Sequence, residues 1–428
     1  MVDAAPPKPT AGDDHAARIG VKLDALLARD PADRRAATAG AFGAASRGRP
    51  IVLMGAGGLG RRTLAGLRTV GVEPLAFADN STARHGTMLD GVRVLSPADA
   101  AREFDTTAAF VVTIWGAGSP HRYADSRAQL VALGCDVIVP FPVLYWTHPV
   151  ALLPHYLQDE PHRVLEQKGD VRRALALWED DASRTEYLAQ VRFRLDGDFD
   201  GLPHPVAHPQ YFPDDLYEWT RDEWIVDGGA YDGDSVRELM RLHGDAFAHV
   251  LALEPDPANF VKLNAACAAL PGPVQAKIDC RQLALASRPG TLQLDATGTA
   301  ASATSAPDAA ASARATAAAM SVALADGAIT VPAEPLDDLL DGARPTFIKL
   351  DIEGAEPDAL EGARQTIVEN GPVVAVCVYH RQDHLWRIPL MLRAWRSDYA
   401  FFLRPHNEEG WDLVCYAVPR ARLRDRRP

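Results

Sequence analysis

Twice in this chain an apolar run opens straight into a glycine-rich turn and then into residues at helical spacing: "PIVLMGAGGLGRRTLAGL" from Pro50 and "EWIVDGGAYDGDSVRELM" from Glu223. A strand feeding a helix in this way belongs to a parallel sheet, because parallel neighbours need a crossover and the crossover is normally a helix. Two such openings predict two α/β units. A length of 428 agrees, since one domain usually takes about 100 to 200 residues.

After the first opening, "PLAFADN", "AAFVVTIW" and "CDVIVPF" supply further strands. After the second come "HVLALEPD", "QLALA", "TFIKLDIEG" and "VVAVCVYH", and "YAFFLRP" with "DLVCYAVP" closes the sheet as a late hairpin, about seven strands in all. Between the units, "VLEQKGDVRRALALWEDDASRTEYLAQVRFRL" has helical periodicity, and the prolines of "PHPVAHPQYFPDD" mark a loop or domain edge. The expected boundaries are 1–48 for a disordered tail and N-terminal helices, 49–145 for a Rossmann-like nucleotide-binding domain, 146–204 for a helical connector and 205–420 for the second domain. An Ala/Ser/Thr-rich stretch between Asp295 and Val331 reads as a low-complexity insertion or a flap over a site.

A net charge of −13 argues against a nucleic-acid backbone as partner, and the basic ending "RARLRDRRP" is expected to fray. With 47% apolar and 24% charged residues the chain has globular composition. The cysteines, Cys135, Cys267, Cys280, Cys377 and Cys415, are odd in number and form no CxxC pair, so reduced thiols are expected. No run approaches the ~18 to 20 apolar residues of a membrane span, and the N-terminus is acidic and Pro-rich where a signal peptide is basic and then apolar. A soluble cytoplasmic protein, disordered to about residue 14, is the expectation.

In the second turn Asp227 ends the strand, Gly228 and Gly229 allow a tight bend, and Gly233 precedes a helix starting near Ser235. A turn without Cβ atoms lets a ligand lie against the main chain while the helix N-terminus offers free N–H groups. The pattern departs from the dinucleotide fingerprint G-x-G-x-x-G, and Asp227 and Asp232 crowd negative charge where a pyrophosphate would sit. A cationic or zwitterionic ligand is therefore preferred. Glu254, ending the next strand, is suited to accept both hydroxyls of a ribose. A nucleoside carrying an amino-acid tail, such as S-adenosylmethionine, satisfies both features; solvated acids on an inactive domain are the plain alternative.

The run "IVDGGAYDGDS", "LALEPDPANF", "EPLDDLL", "FIKLDIEGAEPDALEGA" and "CVYHRQDHLWRIP", in this order, resembles the FkbM-type family of S-adenosylmethionine-dependent methyltransferases over roughly residues 205 to 420. The resemblance implies a class I methyltransferase-type fold and O-methylation of a saccharide or a glycosylated or secondary metabolite. It implies donor contacts from Asp227, Gly228, Gly229, Tyr231, Gly233, Ser235, Glu254 and Pro255. Relatives commonly carry Asn where Asp232 stands, a similar polar side chain. In open α/β sheets ligands lie beyond the carboxyl ends of the strands, which directs Asp351 toward the methyl group and sets His380 on the neighbouring strand. His380 is the first choice for proton acceptor, Asp351 orients the substrate or shares that role, Glu353 shapes the site, and Glu356 reads as an ordinary first-turn acid. His406 is a second candidate base, Trp386 and Tyr379 are a sugar-facing wall or packing aromatics, and a divalent metal on Asp351 and His380 stays open.

The first turn does hold G-x-G-x-x-G, as Gly55, Gly57 and Gly60, with Asp79 at the next strand end and Arg61 and Arg62 at the helix start. It resembles the Rossmann-like N-terminal domains attached to sugar-modifying enzymes, which implies a nucleotide or nucleotide-sugar. A degenerate domain kept for packing or homo-oligomerisation is the competing reading. No Tyr-x-x-x-Lys pair accompanies it. The rival functions are an NAD(P)-dependent oxidoreductase or sugar epimerase built on this turn, and a catalytically idle nucleotide-binding scaffold.

Overall fold

The computed structural model describes residues 11–118, 120–295, 303–304 and 328–424. The chain divides into two compact units, residues 1–205 with 403–411 and residues 206–402 with 412–428. Most of the Ala/Ser/Thr-rich stretch and residues 1–10 lie outside the described residues. Among those described, no helix is long and apolar enough to cross a membrane.

In the first unit β1 (Ile51–Met54), β2 (Ala76–Ala78), β3 (Met88–Leu89), β4 (Val92–Leu95), β5 (Ala109–Val112) and β6 (Ile138–Pro140) form one sheet in the order β3-β4-β2-β1-β5-β6. All pairings are parallel except β3 with β4. Every residue of β1 and β5 is buried, as a central parallel strand covered on both faces requires. Sequence reading passed over the β3–β4 hairpin, although its signal is present. Asp90 and Gly91 turn it with φ of 50° and 82°, both left-handed, as a two-residue hairpin turn demands. The stretch expected as a helical connector, 146–204, falls within this unit and ends in helix Asp181–Asp196.

The second unit contributes β7 (Trp224–Gly228), β8 (His249–Leu253) and β9 (Ile278–Arg281). A smaller sheet follows, from β10 (Ala284–Leu285), β11 (Gly290–Asp295), β12 (Ala303–Thr304) and β13 (Ala328–Glu334). The main sheet resumes with β14 (Phe347–Leu350), β15 (Val373–Cys377), β16 (Tyr399–Pro405) and β17 (Leu413–Pro419). Its order is β16-β17-β15-β14-β7-β8-β9, parallel from β15 to β9, with β17 antiparallel to β15. This is the mostly parallel, seven-stranded sheet with a late antiparallel element that the sequence led us to expect.

Two expectations are corrected. "QLALA" is not the third strand of the main sheet; Ile278–Arg281 is, and only Ala284–Leu285 of that run pairs, in the small sheet with β13. The true strand lies at the sheet edge and is half-buried throughout, so it lacks the apolar signature that drew attention to its neighbour. The basic ending does not fray as far as Arg422. Its guanidinium donates to the Thr346 carbonyl at 2.9 Å and pairs with the buried Glu223 carboxylate.

Candidate functional site

The chain runs from β7 to β8 and β9 on one side and to β14 and β15 on the other, so the strand order reverses between β7 and β14. At such a reversal the loops leaving adjacent strands diverge and open a crevice at their carboxyl ends. The glycine turn and the acid turn both sit there. Gly229 has φ of 80°, and a Cβ at that position would lie 1.9 Å from the Asp351 carbonyl oxygen. The Asp351 amide in turn donates to the Gly228 carbonyl at 3.1 Å. Only glycine permits the two turns to meet backbone to backbone.

Glu254 closes the other side of the glycine turn. One carboxylate oxygen accepts the Tyr231 amide at 2.8 Å and the other accepts the Asp256 amide at 2.9 Å. Burial outweighs these bonds and lifts its pKa to about 7. A carboxylate has about four acceptor positions, so each oxygen keeps a lone pair for a further donor. Pro255 carries the chain to Asp256, which caps helix Pro257–Ala268 by accepting the amides of Ala258 and Asn259. Gly233 is the N-cap of helix Asp234–His243, with Ser235 in its first turn, while Tyr231 stands exposed at the lip with φ of 47°.

Beneath the turns lies Lys349, a residue sequence reading missed. It occupies a fully buried strand, and its ammonium sits 2.8 Å from Asp227 and donates to the Gly229 carbonyl at 2.6 Å. Burial opposes the charge, but Asp227, then Asp351 and Asp234, outweigh it and raise the pKa. A lysine inside a four-residue apolar strand was the available signal, since an unpaired buried ammonium is not tolerated.

The acid turn is organised by the residue that looked least functional. Glu356 is completely buried; one oxygen accepts the amides of Ile352 and Gly354 and meets His380 Nδ1 at 2.7 Å, and the other lies 3.2 Å from His384 Nδ1. Burial would raise its pKa, yet His380 and His384 hold it well below the ordinary carboxylate range. On the far side of the imidazole, Nε2 is flanked by Asp351 at 3.4 Å and Glu353 at 3.8 Å. Burial disfavours charge on His380, but Glu356, then Glu353 and Asp351, raise its pKa to about 10.

These three carboxylates favour the protonated imidazole, which weighs against the expectation that His380 accepts the proton. Glu353, at φ of 56° and pushed by burial to about 7, is poised nearer to that task. Asp351 is anchored by the Tyr211 hydroxyl at 2.7 Å, with the Tyr379 hydroxyl at 3.4 Å. Trp386 and Tyr379 are buried, in keeping with packing aromatics, and His406 falls in the 403–411 stretch grouped with the first unit. Among the described residues, one group of three His and acid side chains brings its ligand atoms within 4.8 Å of one another, His208, Asp214 and Asp215.

In the first unit a Cβ on Gly55 would lie 2.8 Å from the Thr113 carbonyl oxygen and one on Gly60 would lie 2.0 Å from the Gly55 carbonyl oxygen, whereas Gly57 has open space. Asp79 accepts the amides of Ala56 at 2.7 Å and Ser81 at 2.8 Å and pairs with Arg84 at 3.1 Å. Arg61 pairs with Asp90 at 3.0 Å, and Arg62 donates to the carbonyls of Leu152 and Pro154. These contacts brace the turn.

Residues 227–403 match the family model of the Methyltransferase FkbM domain. A methyltransferase FkbM from Methylobacillus flagellatus KT has a similar structure, with 21% identity and a TM-score of 0.72 over 94% of this chain and 99% of its own. The likeness shows the fold. The UDP-D-quinovosamine 4-dehydrogenase of Vibrio fischeri aligns with 22% of this chain and 76% of its own at 19% identity, with a TM-score of 0.18. The methyltransferase domain of bacterial CtHen1 aligns with 46% and 91% at 10% identity, with a TM-score of 0.27. No protein of curated function matches the chain.

Proposed function

Starting from a chain whose residues 227–403 match the model of the methyltransferase FkbM domain, we propose that it transfers a methyl group from S-adenosylmethionine to a hydroxyl of a saccharide or a glycosylated or secondary metabolite. The observation that carries the reading is the contact of Gly229 with the Asp351 backbone, which makes the glycine turn and the acid turn two walls of one crevice. A donor lying on the first wall has its reactive carbon beside the carboxylates of the second.

The adenosine ribose takes the free lone pairs of Glu254, and the glycine turn and helix Asp234–His243 receive the amino-acid tail. Among the described residues around the crevice carboxylates outnumber cations: Asp227, Asp234, Glu254, Asp351, Glu353 and Glu356 face Lys349, His380 and Arg381. This balance favours a sulfonium over a pyrophosphate.

Transfer requires the acceptor oxygen in line with the methyl carbon, and a site for the hydroxyl proton as the C–O bond forms and the S–C bond breaks. Asp351 holds the hydroxyl. Glu353, across the same imidazole nitrogen and with a pKa of about 7, takes the proton. His380, as a cation, balances the two acids.

Calorimetric titration with S-adenosylhomocysteine and, separately, NADH tests the donor. Micromolar binding of the first alone is expected; binding of NADH alone would transfer the activity to an oxidoreductase class, and binding of neither would leave an idle scaffold. Incubation with labelled S-adenosylmethionine and a panel of saccharides then tests the acceptor.

A further inference from the structure

Tyr211 reaches the crevice from outside the matched domain, in the Pro-rich stretch 203–215 that the sequence marked only as a loop or domain edge. It is buried, and its backbone stands at φ of 65°, a left-handed conformation that a bulky residue adopts only when its surroundings enforce it. Those surroundings are specific. Its amide donates to the Tyr416 hydroxyl at 3.0 Å, its carbonyl accepts the Tyr217 hydroxyl at 3.2 Å, and its ring lies 5.1 Å from the Lys349 ammonium. All of this aims one hydroxyl, which donates to Asp351 Oδ2 at 2.7 Å. Burial, and then the charge of Asp351, raise the phenol pKa well above its ordinary value, so it remains a donor.

We propose that Tyr211 is a positioning residue: by fixing Asp351 Oδ2 it holds the carboxylate plane so that Oδ1 faces His380 and the acceptor hydroxyl. The inference rests on the methyltransferase reading only for the identity of that hydroxyl. Among the described residues Asp351 otherwise has one weak donor, Tyr379 at 3.4 Å, and the His380 ring at 3.4 Å, toward which its carboxylate would turn if released. His380 therefore reports on Tyr211. It is faced by Glu356, which His384 also contacts, on the helical side, by Asp351 and Glu353 on the turn side, and by the Tyr379 ring at 4.2 Å.

The test is NMR titration of the His380 ring nitrogens in the full chain and in Tyr211→Phe, which keeps the ring and loses the hydroxyl. The freed carboxylate is expected to move the His380 midpoint upward by ~0.5 or more, and to do so no longer when Asp351→Asn is also present. S-adenosylhomocysteine affinity should stay within about twofold, since no donor contact is altered. An unchanged His380 midpoint, or an equal change with Asp351→Asn in place, overturns the positioning role. In the unaltered chain, the Tyr211 hydroxyl proton should resonate downfield and lose that position in Asp351→Asn; its absence overturns the proposal even where Tyr211→Phe does not fold. Failure of the unaltered chain to bind S-adenosylhomocysteine counts against the donor reading and leaves the Tyr211 result standing.

Discussion

His380 Nδ1 and Glu356 Oε1 stand 2.7 Å apart with both side chains shut off from solvent, joining the turn after β15, where His380 lies and not on the strand as expected, to the first residue of helix Glu356–Glu361. The pair ties the acid turn to His380 and favours the charged form of the imidazole. The raised His380 pKa means that its contribution to stability is fully present below its unfolded value of about 6.5 and is lost as pH climbs through about 10. Glu356, held low, contributes above about pH 4.5 and loses that contribution as pH falls through its folded value. Above pH 8, where Glu254 and Glu353 have already ionised, the melting temperature should fall toward pH 10 more steeply in the native chain than in Glu356→Gln. The substitution itself should destabilise by ~3 kcal/mol, because the buried imidazole loses the charged partner at its Nδ1. Parallel melting curves for the two proteins across that range would contradict the assignment.

Gly229→Ala and Gly57→Ala are expected to behave oppositely. The first forces a Cβ to 1.9 Å from the Asp351 carbonyl at φ of 80°, and the second meets nothing within 4 Å. Urea unfolding should show a loss of about 3 kcal/mol or more for Gly229→Ala and under about 1 for Gly57→Ala.

Lys349→Met leaves Asp227 buried without its 2.8 Å partner. Destabilisation of ~3 to 5 kcal/mol is expected by urea unfolding. Adding Asp227→Asn should recover part of it, and strict additivity of the two would show that they are not coupled.

Glu254 has a pKa of about 7, so the fraction ionised rises steeply between pH 6 and 8. If it grips the ribose as a charged acceptor, S-adenosylhomocysteine should bind more tightly at pH 8 than at pH 6. Glu254→Gln should weaken binding by ~1 to 3 kcal/mol and flatten that dependence. Calorimetry at the two pH values decides it, and an unaltered dissociation constant in the variant removes Glu254 from the donor site.

Cys267 and Cys280 carry their sulfur atoms 3.6 Å apart, Cys267 on helix Pro257–Ala268 and Cys280 on β9. Mild hydrogen peroxide should reach the half-buried Cys280 first and join it to Cys267, ahead of the buried Cys135, Cys377 and Cys415. Peptide mapping of the oxidised chain reads the linkage directly.

The seven-stranded sheet was legible because its central strands are short, apolar and punctuated by glycine or acid, and each such signal is local. The edge strand β9 was not, because partial exposure leaves no local pattern to read. The acids at the crevice were legible by position, since strand ends and turns can be counted from the residues. Their roles were not. Whether Glu356 is a surface acid or the buried hub of two histidines depends on what packs over it, and the residues that do so arrive from β15 and the helix beyond it.

By itself, then, the sequence determined two α/β units, the glycine turns, and the placing of Asp351, Glu353 and Glu254 at strand ends, all consequences of periodicity and backbone sterics within a dozen residues. Only the tertiary structure decided that Lys349 neutralises Asp227, that Tyr211 reaches Asp351, and that three carboxylates surround His380 and raise its pKa. Those outcomes are set by burial and by charges distant in the chain, whose fields depend on separation in space and not along the backbone.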